Sequence, residues 1–342
     1  MFSASAVFHS LRRTIPSNSR VALKKNTYST RTWSSTPRYS PLGSGQPRNK
    51  NSAKMSHADT GKDVPASRHP DFKAVEASRP SWREDVSPNY TKTRKPDWKP
   101  GEGATDGGES LKKKHVEIDP YAEGRPATFN YKLLISAIVP RPIGFVSTTS
   151  ADGKVTNLSP FSFFQVMGFD PPLFVIGFSC SLENAKDTLK NLIDTKECVI
   201  NIISEDFLEA SNMTSINAPY GVSEFPISGL HPAESRDVKA PRVKESVFSV
   251  EAKLVETREY NSRRTGKPTC TMAVIEGLRF WAREDAVNEE RNLLDMNVLR
   301  PISRLGGISY GRLTDCIELP RPEWNKLSAE EKERFQSASK SV

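Results

Sequence analysis

The sequence has few of the residues that most hydrolytic and metal-dependent sites need. Its 342 residues include five histidines, and only His115 and His231 fall within the region predicted to fold. Metal-ligand clusters and Ser-His or Cys-His nucleophile pairs therefore lack the histidines they require. No Gly-x-Gly-x-x-Gly motif follows a strand-like segment, so the sequence does not predict a Rossmann dinucleotide domain.

Cysteines and long apolar runs are also scarce. The four cysteines, Cys180, Cys198, Cys270 and Cys316, are widely spaced and form no Cys-x-x-Cys motif. This usage predicts reduced thiols in a non-secretory compartment. No apolar run approaches the roughly 18 residues of a membrane-spanning helix, so no membrane span is predicted.

Acidic residues are absent from residues 1–58, which contain ten Lys and Arg. Subtracting those ten from the 49 Lys and Arg of the chain leaves 39 basic residues against 41 acidic ones. The net charge of +8 is therefore confined to this segment, and the remaining chain is not predicted to bind nucleic acid. Apolar residues between Phe2 and Leu11, beside Arg12 and Arg13, favour a mitochondrial transit peptide over the alternative of a disordered basic tail.

Acidic residues first occur shortly after Met55, and we hypothesise that Met55 is a second start that gives a cytoplasmic form. Residues 59–114 are rich in Pro, Gly and charge and show no periodicity, which predicts a mostly disordered linker. Trp82 and Trp98 stand alone within it, and the pattern leaves open whether they dock on the folded domain.

The central stretch of the sequence is Pro140–Ser162, PRPIGFVSTTSADGKVTNLSPFS. Its first half alternates apolar and polar residues as a strand does, and Ala151-Asp152-Gly153 predicts a tight turn. A return strand begins near Val155 and leads into the polar cluster Asn157–Ser162. We expect Pro160 to stop ladder pairing, because proline has no N–H to donate.

A second informative stretch begins with the apolar run Pro171–Phe178. It leads to Ser179-Cys180-Ser181 and then to a helical pattern, with Asn184 as the predicted N-cap and Asp187 three residues on, as in a capping box. The free N–H groups of such a helix start, together with Lys186, suit an anion. An ordinary capped helix without a ligand is the alternative.

The remaining segments predict short strands and few long helices. Helices are expected at Asn130–Val139 and Glu205–Ile216, strands at Glu197–Ile203, Val243–Leu254 and Cys270–Phe280, a loop at Asn217–His231, and a charged tail at 321–342. Short strands separated by turns predict an antiparallel β-barrel with helical insertions. Cys198, inside a strand, is predicted to be a packed core thiol.

Four motifs together resemble one family. PRPIGFVST (140–148), NLSPFSFF (157–164), KDTLKN (186–191) and PISRLGG (301–307) with Tyr310 are similar to the flavin reductase-like proteins of the FMN-binding split-barrel superfamily, in its flavoredoxin-type branch. The resemblance covers a domain at residues 115–320. It implies a mainly β fold with α insertions, a Greek-key antiparallel split barrel, and a homodimer with FMN at or near the subunit interface.

The resemblance also implies a set of cofactor-binding residues and no catalytic or metal-binding side chain. Ile143, Ser147 and Thr148 would edge the flavin ring, and Asn157, Ser159 and Ser162 would bond its ribityl or phosphate groups. The phosphate end would be formed by Ser179, Lys186, Asp187, Thr188 and Asn191, with Asp187 better suited to capping backbone amides. Arg141 and Arg304 are further candidates, and the loop Asn217–His231 would be a substrate lid or a dimer contact.

By this resemblance, the protein is expected to be an oxidoreductase that moves electrons from NAD(P)H through FMN to flavin or another acceptor. A flavin can itself accept hydride, so the absence of an acid–base residue is consistent with this chemistry. The alternative is a flavoredoxin-like electron carrier that is reduced by a partner protein. A third hypothesis is a pyridoxamine-phosphate oxidase-like or haem-binding variant of the same fold, and the PRPIG and KDT motifs argue against it.

Overall fold

The computed structural model describes residues 72–340, and the chain divides into two units, Met1–Pro80 and Ser81–Val342. Within the first unit the described part is the short helix α1 (Phe72–Ala77) with the residues that follow it. The transit peptide and the second start at Met55 lie outside the described residues. Within residues 72–340, no helix is both long and apolar enough to span a membrane.

The second unit is built mainly from strands. They are β1 (Asn89–Thr91), β2 (Gly144–Thr149), β3 (Thr156–Phe161), β4 (Phe164–Phe169), β5 (Pro172–Phe178), β6 (Glu197–Asn201), β7 (Pro232–Ala233), β8 (Arg242–Val243), β9 (Phe248–Asn261), β10 (Pro268–Ala282), β11 (Ile302–Arg304), β12 (Tyr310–Arg312) and β13 (Asp315–Ile317). Seven of them form one antiparallel sheet in the order β3-β2-β6-β9-β10-β5-β4. This mainly β architecture confirms the predicted fold class.

Helices are short and lie between the strands. They are α2 (Ala127–Ala137), α3 (Asp187–Thr195), α4 (Leu208–Met213), α5 (Glu224–Ser228), α6 (Met296–Leu299) and α7 (Ala329–Ala338), with 3-10 turns at Ser110–Lys112, Glu205–Phe207 and Trp324–Lys326. The predicted helix at Asn130–Val139 corresponds to α2. The charged tail contains α7, which begins at a capping box between Ser328 and Glu331.

The β2–β3 hairpin is present as predicted, with one correction. Gly153 has a φ of +73° in the turn, a value that glycine adopts without strain. Pro160 does not end the pairing, because it lies within β3 opposite Phe145. β3 is an edge strand of the sheet, and a proline on an edge strand can point its nitrogen away from the neighbouring strand.

The start of α3 also differs from the prediction. Its N-cap is Lys186 rather than Asn184, and no side chain caps it. The backbone N–H and side-chain amide of Asn184 instead donate to Ser181 Oγ, each at 3.2 Å. This short-range pairing holds Asn184 in the turn before the helix, so the helix begins two residues later than expected.

Two hydrophobic clusters lie on opposite faces of β2. Val146 packs with α3 and the central strands, in a cluster that includes Cys198. Phe145, on the opposite face, packs with Leu158 and with Phe225 of α5. Cys198 is completely buried, which confirms it as a core thiol, and burial raises its pKa to about 12.

Part of the predicted linker contacts the β domain. β1 pairs in parallel with β13, and the Arg312 guanidinium lies 3.9 Å from the centre of the Trp82 ring. Residues 81–91 are therefore ordered and differ from the expected disordered linker. The sequence did not indicate this, because their partners lie far along the chain and no local pattern points to them. The domain divisions at 114/115 and 320/321 stay predictions.

Candidate functional site

Four of the predicted site residues meet where α3 packs on the β2–β3 hairpin. The Thr188 hydroxyl donates to Asn157 Oδ1 at 2.5 Å, and the Asn191 amide donates to Thr148 Oγ1 at 3.2 Å. All four side chains are buried. Their hydrogen-bonding groups are directed at one another, so this network fixes the first turns of α3 against the hairpin.

A buried carboxylate completes the network. Glu224 Oε2 accepts from the Leu158 N–H at 2.9 Å and from Asn157 Nδ2 at 3.1 Å. Burial raises the pKa of Glu224, although its hydrogen bonds oppose the shift, and the negative charge of Asp187 raises it further. The Tyr220 hydroxyl adds a bond to Asn191 Oδ1 at 3.0 Å, so the loop Asn217–His231 is tied to the predicted phosphate end.

Sequence reasoning missed Glu224 and Tyr220. The available indication was Ser223, which caps α5 and lies 2.9 Å from Thr156 Oγ1. A serine followed by an acidic residue is a common helix start. It would have predicted α5 within the loop, but not its contact with β3.

A second group of predicted residues has no partner for its side-chain donors. Ser159 and Ser162 are half-buried, and Ser179 and Lys186 are exposed. Within residues 72–340, none of these four side chains makes a hydrogen bond or ion pair, and Asp187 makes none either. With the uncapped start of α3, this donor set fits a phosphorylated ligand that accepts many hydrogen bonds.

Two other predicted residues lie on the opposite face of β2. Ser147 is fully buried and its hydroxyl donates to the Pro241 carbonyl. Ile143 packs in the cluster that contains Phe145. Because side chains alternate along a strand, neither shares the face of Thr148, and only their backbone atoms remain available to a ligand there.

Arg141 and Arg304 form a separate pair. The Arg141 guanidinium donates to the carbonyls of Ile135, Ile138 and Leu305 at 2.6, 2.7 and 3.0 Å. Burial lowers the pKa of Arg141, and the charge of Arg304 lowers it further. Arg304 lies over the Tyr310 ring at 4.4 Å.

A cleft of about 540 Å³ lies elsewhere, between the β2–β3 turn and the loop at 232–241, and is lined by residues that include Thr149, Gly153 and Lys239. None of the predicted site residues lines it. Across the described part of the chain, no group of three or more His, Cys, Asp or Glu side chains is arranged to hold a metal ion.

Comparison with known proteins identifies similar chains. The profile described as flavin reductase like domain matches residues 136–299. An uncharacterized protein of Aquifex aeolicus is 42% identical over 182 residues, which cover 53% of this chain and 88% of that protein.

Two solved structures are similar to this chain as well. Nitrilotriacetate monooxygenase component B from Bacillus cereus is 31% identical with a TM-score of 0.56, covering 60% of this chain and all of that one. A Shewanella frigidimarina protein, described as a flavin reductase with a split barrel domain, is 23% identical with a TM-score of 0.50. The match covers 58% of this chain and 95% of that one. At that identity the second match shows the fold alone, and the fold is the one predicted.

Proposed function

Because the chain belongs to the flavin reductase-like domain family, we propose that it is an FMN-binding oxidoreductase. In this proposal, electrons pass from NAD(P)H through FMN to free flavin or another acceptor. Family membership supports a flavin-binding oxidoreductase in general. The identity of the flavin as FMN and the use of NAD(P)H are the specific parts of the proposal.

The observation that carries the proposal is the uncapped start of α3 next to unpaired donors. The first N–H groups of a helix carry partial positive charge and bind phosphate when no side chain occupies them. Lys186 is the N-cap residue and adds a full charge, and Ser179 precedes it on the same connection. We assign the FMN phosphate to these groups.

The buried network explains why these groups are held in place. Thr188 and Asn191 use their side chains to bond Asn157 and Thr148, so the helix start is fixed before any ligand arrives. A site that is pre-organised in this way loses less conformational entropy on binding. Thr148, Asn157, Thr188 and Asn191 are therefore assigned to positioning.

Ser159 in β3 and Ser162 just after it extend this set of hydrogen-bond donors towards the start of β2. Ser159 lies opposite Val146, and Ser162 follows the Phe161–Gly144 pair. Their free hydroxyls suit the ribityl hydroxyls of FMN. FMN, when bound, supplies the ring that accepts hydride, and the protein's contribution is to bind and orient it.

We also propose that the protein is a homodimer. Tyr131 and Leu134 on α2, and Val166 and Phe169 on β4, are large apolar side chains that are 53–93% exposed. β4 is an edge strand of the main sheet, and an apolar patch beside an unpaired edge supports association with another chain. Sedimentation velocity of the wild type and of Phe169→Glu tests this; a wild-type monomer at every concentration would contradict it.

The function is tested by the visible spectrum of the full-length protein and its response to NADH and NADPH without oxygen. We expect flavin absorption that bleaches with at least one nucleotide. Flavin absorption that resists both would contradict the reductase and favour the electron carrier that is reduced by a partner protein. A colourless protein that binds no added FMN would overturn both functions.

For localisation, we propose that residues 1–58 direct the protein to mitochondria and that a form starting at Met55 is cytoplasmic. The support is the ten basic residues without an acidic one. N-terminal sequencing of the protein from both fractions tests this. A single processed species that begins far from Met55 would rule out the second start.

A further inference from the structure

Arg141 and Arg304 face each other across an isolated antiparallel bridge. Arg141 N donates to Arg304 O at 3.0 Å, and Arg304 N donates to Arg141 O at 2.9 Å. Like charges directly opposite each other on neighbouring strands are unfavourable. No Asp or Glu in residues 72–340 lies within ion-pair distance of either guanidinium, in contrast to Arg300 and Arg312, which share Glu205.

Arg141 is buried without a counter-ion. It is 7% exposed, and its Nη atoms donate to the carbonyls of Ile135, Ile138 and Leu305. Its buried Nε has no hydrogen-bond partner. The carbonyls offset part of the desolvation of the guanidinium, but they carry no net charge. A buried cation of this kind is costly unless an anion compensates it.

Arg304 is the accessible member of the pair. Its guanidinium makes one long hydrogen bond, 3.3 Å from Nη1 to the Ser309 carbonyl, and otherwise lies on the Tyr310 ring. The Tyr310 hydroxyl in turn donates to Asn212 at 2.8 Å, which fixes the ring. Most of the five donors of Arg304 therefore stay free, and the positive charge of Arg141 is on the residue opposite it in the bridge.

We propose that Arg304 binds the phosphate groups of the electron donor, a pyridine dinucleotide, and that the positive charge of Arg141 adds to the attraction. This rests on the proposed function, because it assigns the donor to the same domain as the flavin. A pyrophosphate carries more negative charge than a single carboxylate and therefore suits two adjacent cations better. One guanidinium can also donate two parallel hydrogen bonds to phosphate oxygens.

The phosphate of FMN is a poor candidate for this site. Arg141 and Thr148 are separated by seven residues of nearly extended chain, or roughly 20 Å. Thr148 lies at the α3 end of the hairpin, where Asn191 bonds it. One phosphate group cannot contact both Arg304 and the start of α3, so the two cationic sites serve different anions.

The test compares the wild-type full-length protein with Arg304→Gln and Arg304→Lys. Lys154→Gln, on the exposed β2–β3 turn, is the control for losing one positive charge. We expect Arg304→Gln to raise the KM for the dinucleotide roughly tenfold to a hundredfold, as for a lost charged hydrogen bond. The kcat and the Kd for FMN should stay within about twofold of wild type, and Arg304→Lys should be intermediate.

An unchanged KM, or a loss of FMN affinity equal to the rise in KM, would overturn the proposal. Inorganic pyrophosphate provides a readout that needs no turnover. With FMN saturating the start of α3, we expect pyrophosphate to raise the Tm of the wild type and of Lys154→Gln, but not that of Arg304→Gln. If neither NADH nor NADPH reduces the protein, the proposed electron donor is wrong. Equal Tm shifts with pyrophosphate in all variants would separately show that Arg304 forms no anion site.

Discussion

Glu224 and Asn157 are joined by a buried hydrogen bond of 3.1 Å from Nδ2 to Oε2. The same carboxylate oxygen accepts the Leu158 N–H, so Glu224 fixes both the side chain and the backbone of β3. Glu224 opens α5, whereas Asn157 and Leu158 belong to the hairpin. One carboxylate therefore links the loop Asn217–His231 to the strand that carries the proposed ribityl contacts.

The raised pKa of Glu224 predicts a pH-dependent stability. Because the folded carboxyl holds its proton at pH values where the unfolded one has lost it, its contribution is complete below the ordinary pKa of about 4.5. That contribution is lost as the pH rises through the folded pKa. We expect Glu224→Gln to reduce this decline, since its amide oxygen still accepts the same bonds. Glu224→Ala should lose about 1–3 kcal/mol. Urea unfolding at several pH values checks both, and a Gln variant as pH-dependent as the wild type would contradict the assignment.

Lys186→Gln should weaken FMN binding by about 1.5–3 kcal/mol, because it removes a charge-assisted bond to the phosphate. Lys190→Gln is the matched control on the next turn. Its ammonium pairs with Asp194 at 2.6 Å on the surface, so its loss should change stability by less than about 1 kcal/mol. Fluorescence titration of FMN measures the affinities. Equal affinities in both variants, with lower thermal stability in Lys186→Gln, would assign Lys186 to the helix alone.

Arg312→Ala should destabilise the fold by about 1.5–3 kcal/mol, because the buried Glu205 carboxylate loses the hydrogen bonds from Arg312 and keeps only its pair with Arg300. Arg312 donates to Glu205 at 2.8 and 2.9 Å and also to the Arg83 carbonyl at 3.1 Å. Arg283→Ala removes an exposed pair with Asp285 and should lose less than about 1 kcal/mol. Denaturant unfolding compares them, and equal losses would contradict a structural role for the Arg312–Glu205 pair.

Cysteine labelling should separate the buried thiol from the exposed one. Burial raises the pKa of Cys198 to about 12, so almost no thiolate forms at pH 8 and the side chain is inaccessible. Cys270 is exposed on β10. We expect an alkylating reagent to label Cys270 in the native protein and Cys198 only after denaturation, as peptide mass spectrometry would show. Native labelling of Cys198 at the same rate would contradict the packed core.

The local elements of this fold could be predicted from the sequence because short-range chemistry determines them. The β2–β3 hairpin follows from alternation and Gly153, and α3 follows from its apolar spacing. The start of α3 could not be placed correctly. Asn184 is the predicted cap, but in the structure it bonds Ser181 in the preceding turn, and the helix starts after Lys186 without a side-chain cap.

The sequence indicates four candidate residues that the structure brings together, but it does not indicate the geometry in which they meet. Thr148, Asn157, Thr188 and Asn191 do meet, yet they bond one another instead of leaving their donors free. Glu224 reaches Asn157 from 67 residues away, and no pattern within either segment indicates that contact. The resemblance places Ser147 and Thr148 together beside the flavin ring, although strand alternation puts their side chains on opposite faces.

Pro160 has a consequence for the edges of the sheet. At β3, the outermost strand, it offers no N–H to a further strand, and a ladder extended from that side would be interrupted there. β4, at the other end of the sheet, is a six-residue strand without proline, so every backbone nitrogen in it carries an N–H that can donate a hydrogen bond. Growth of the sheet by strand addition from another chain is therefore disfavoured beside the proposed ribityl contacts and more favourable at the β4 edge.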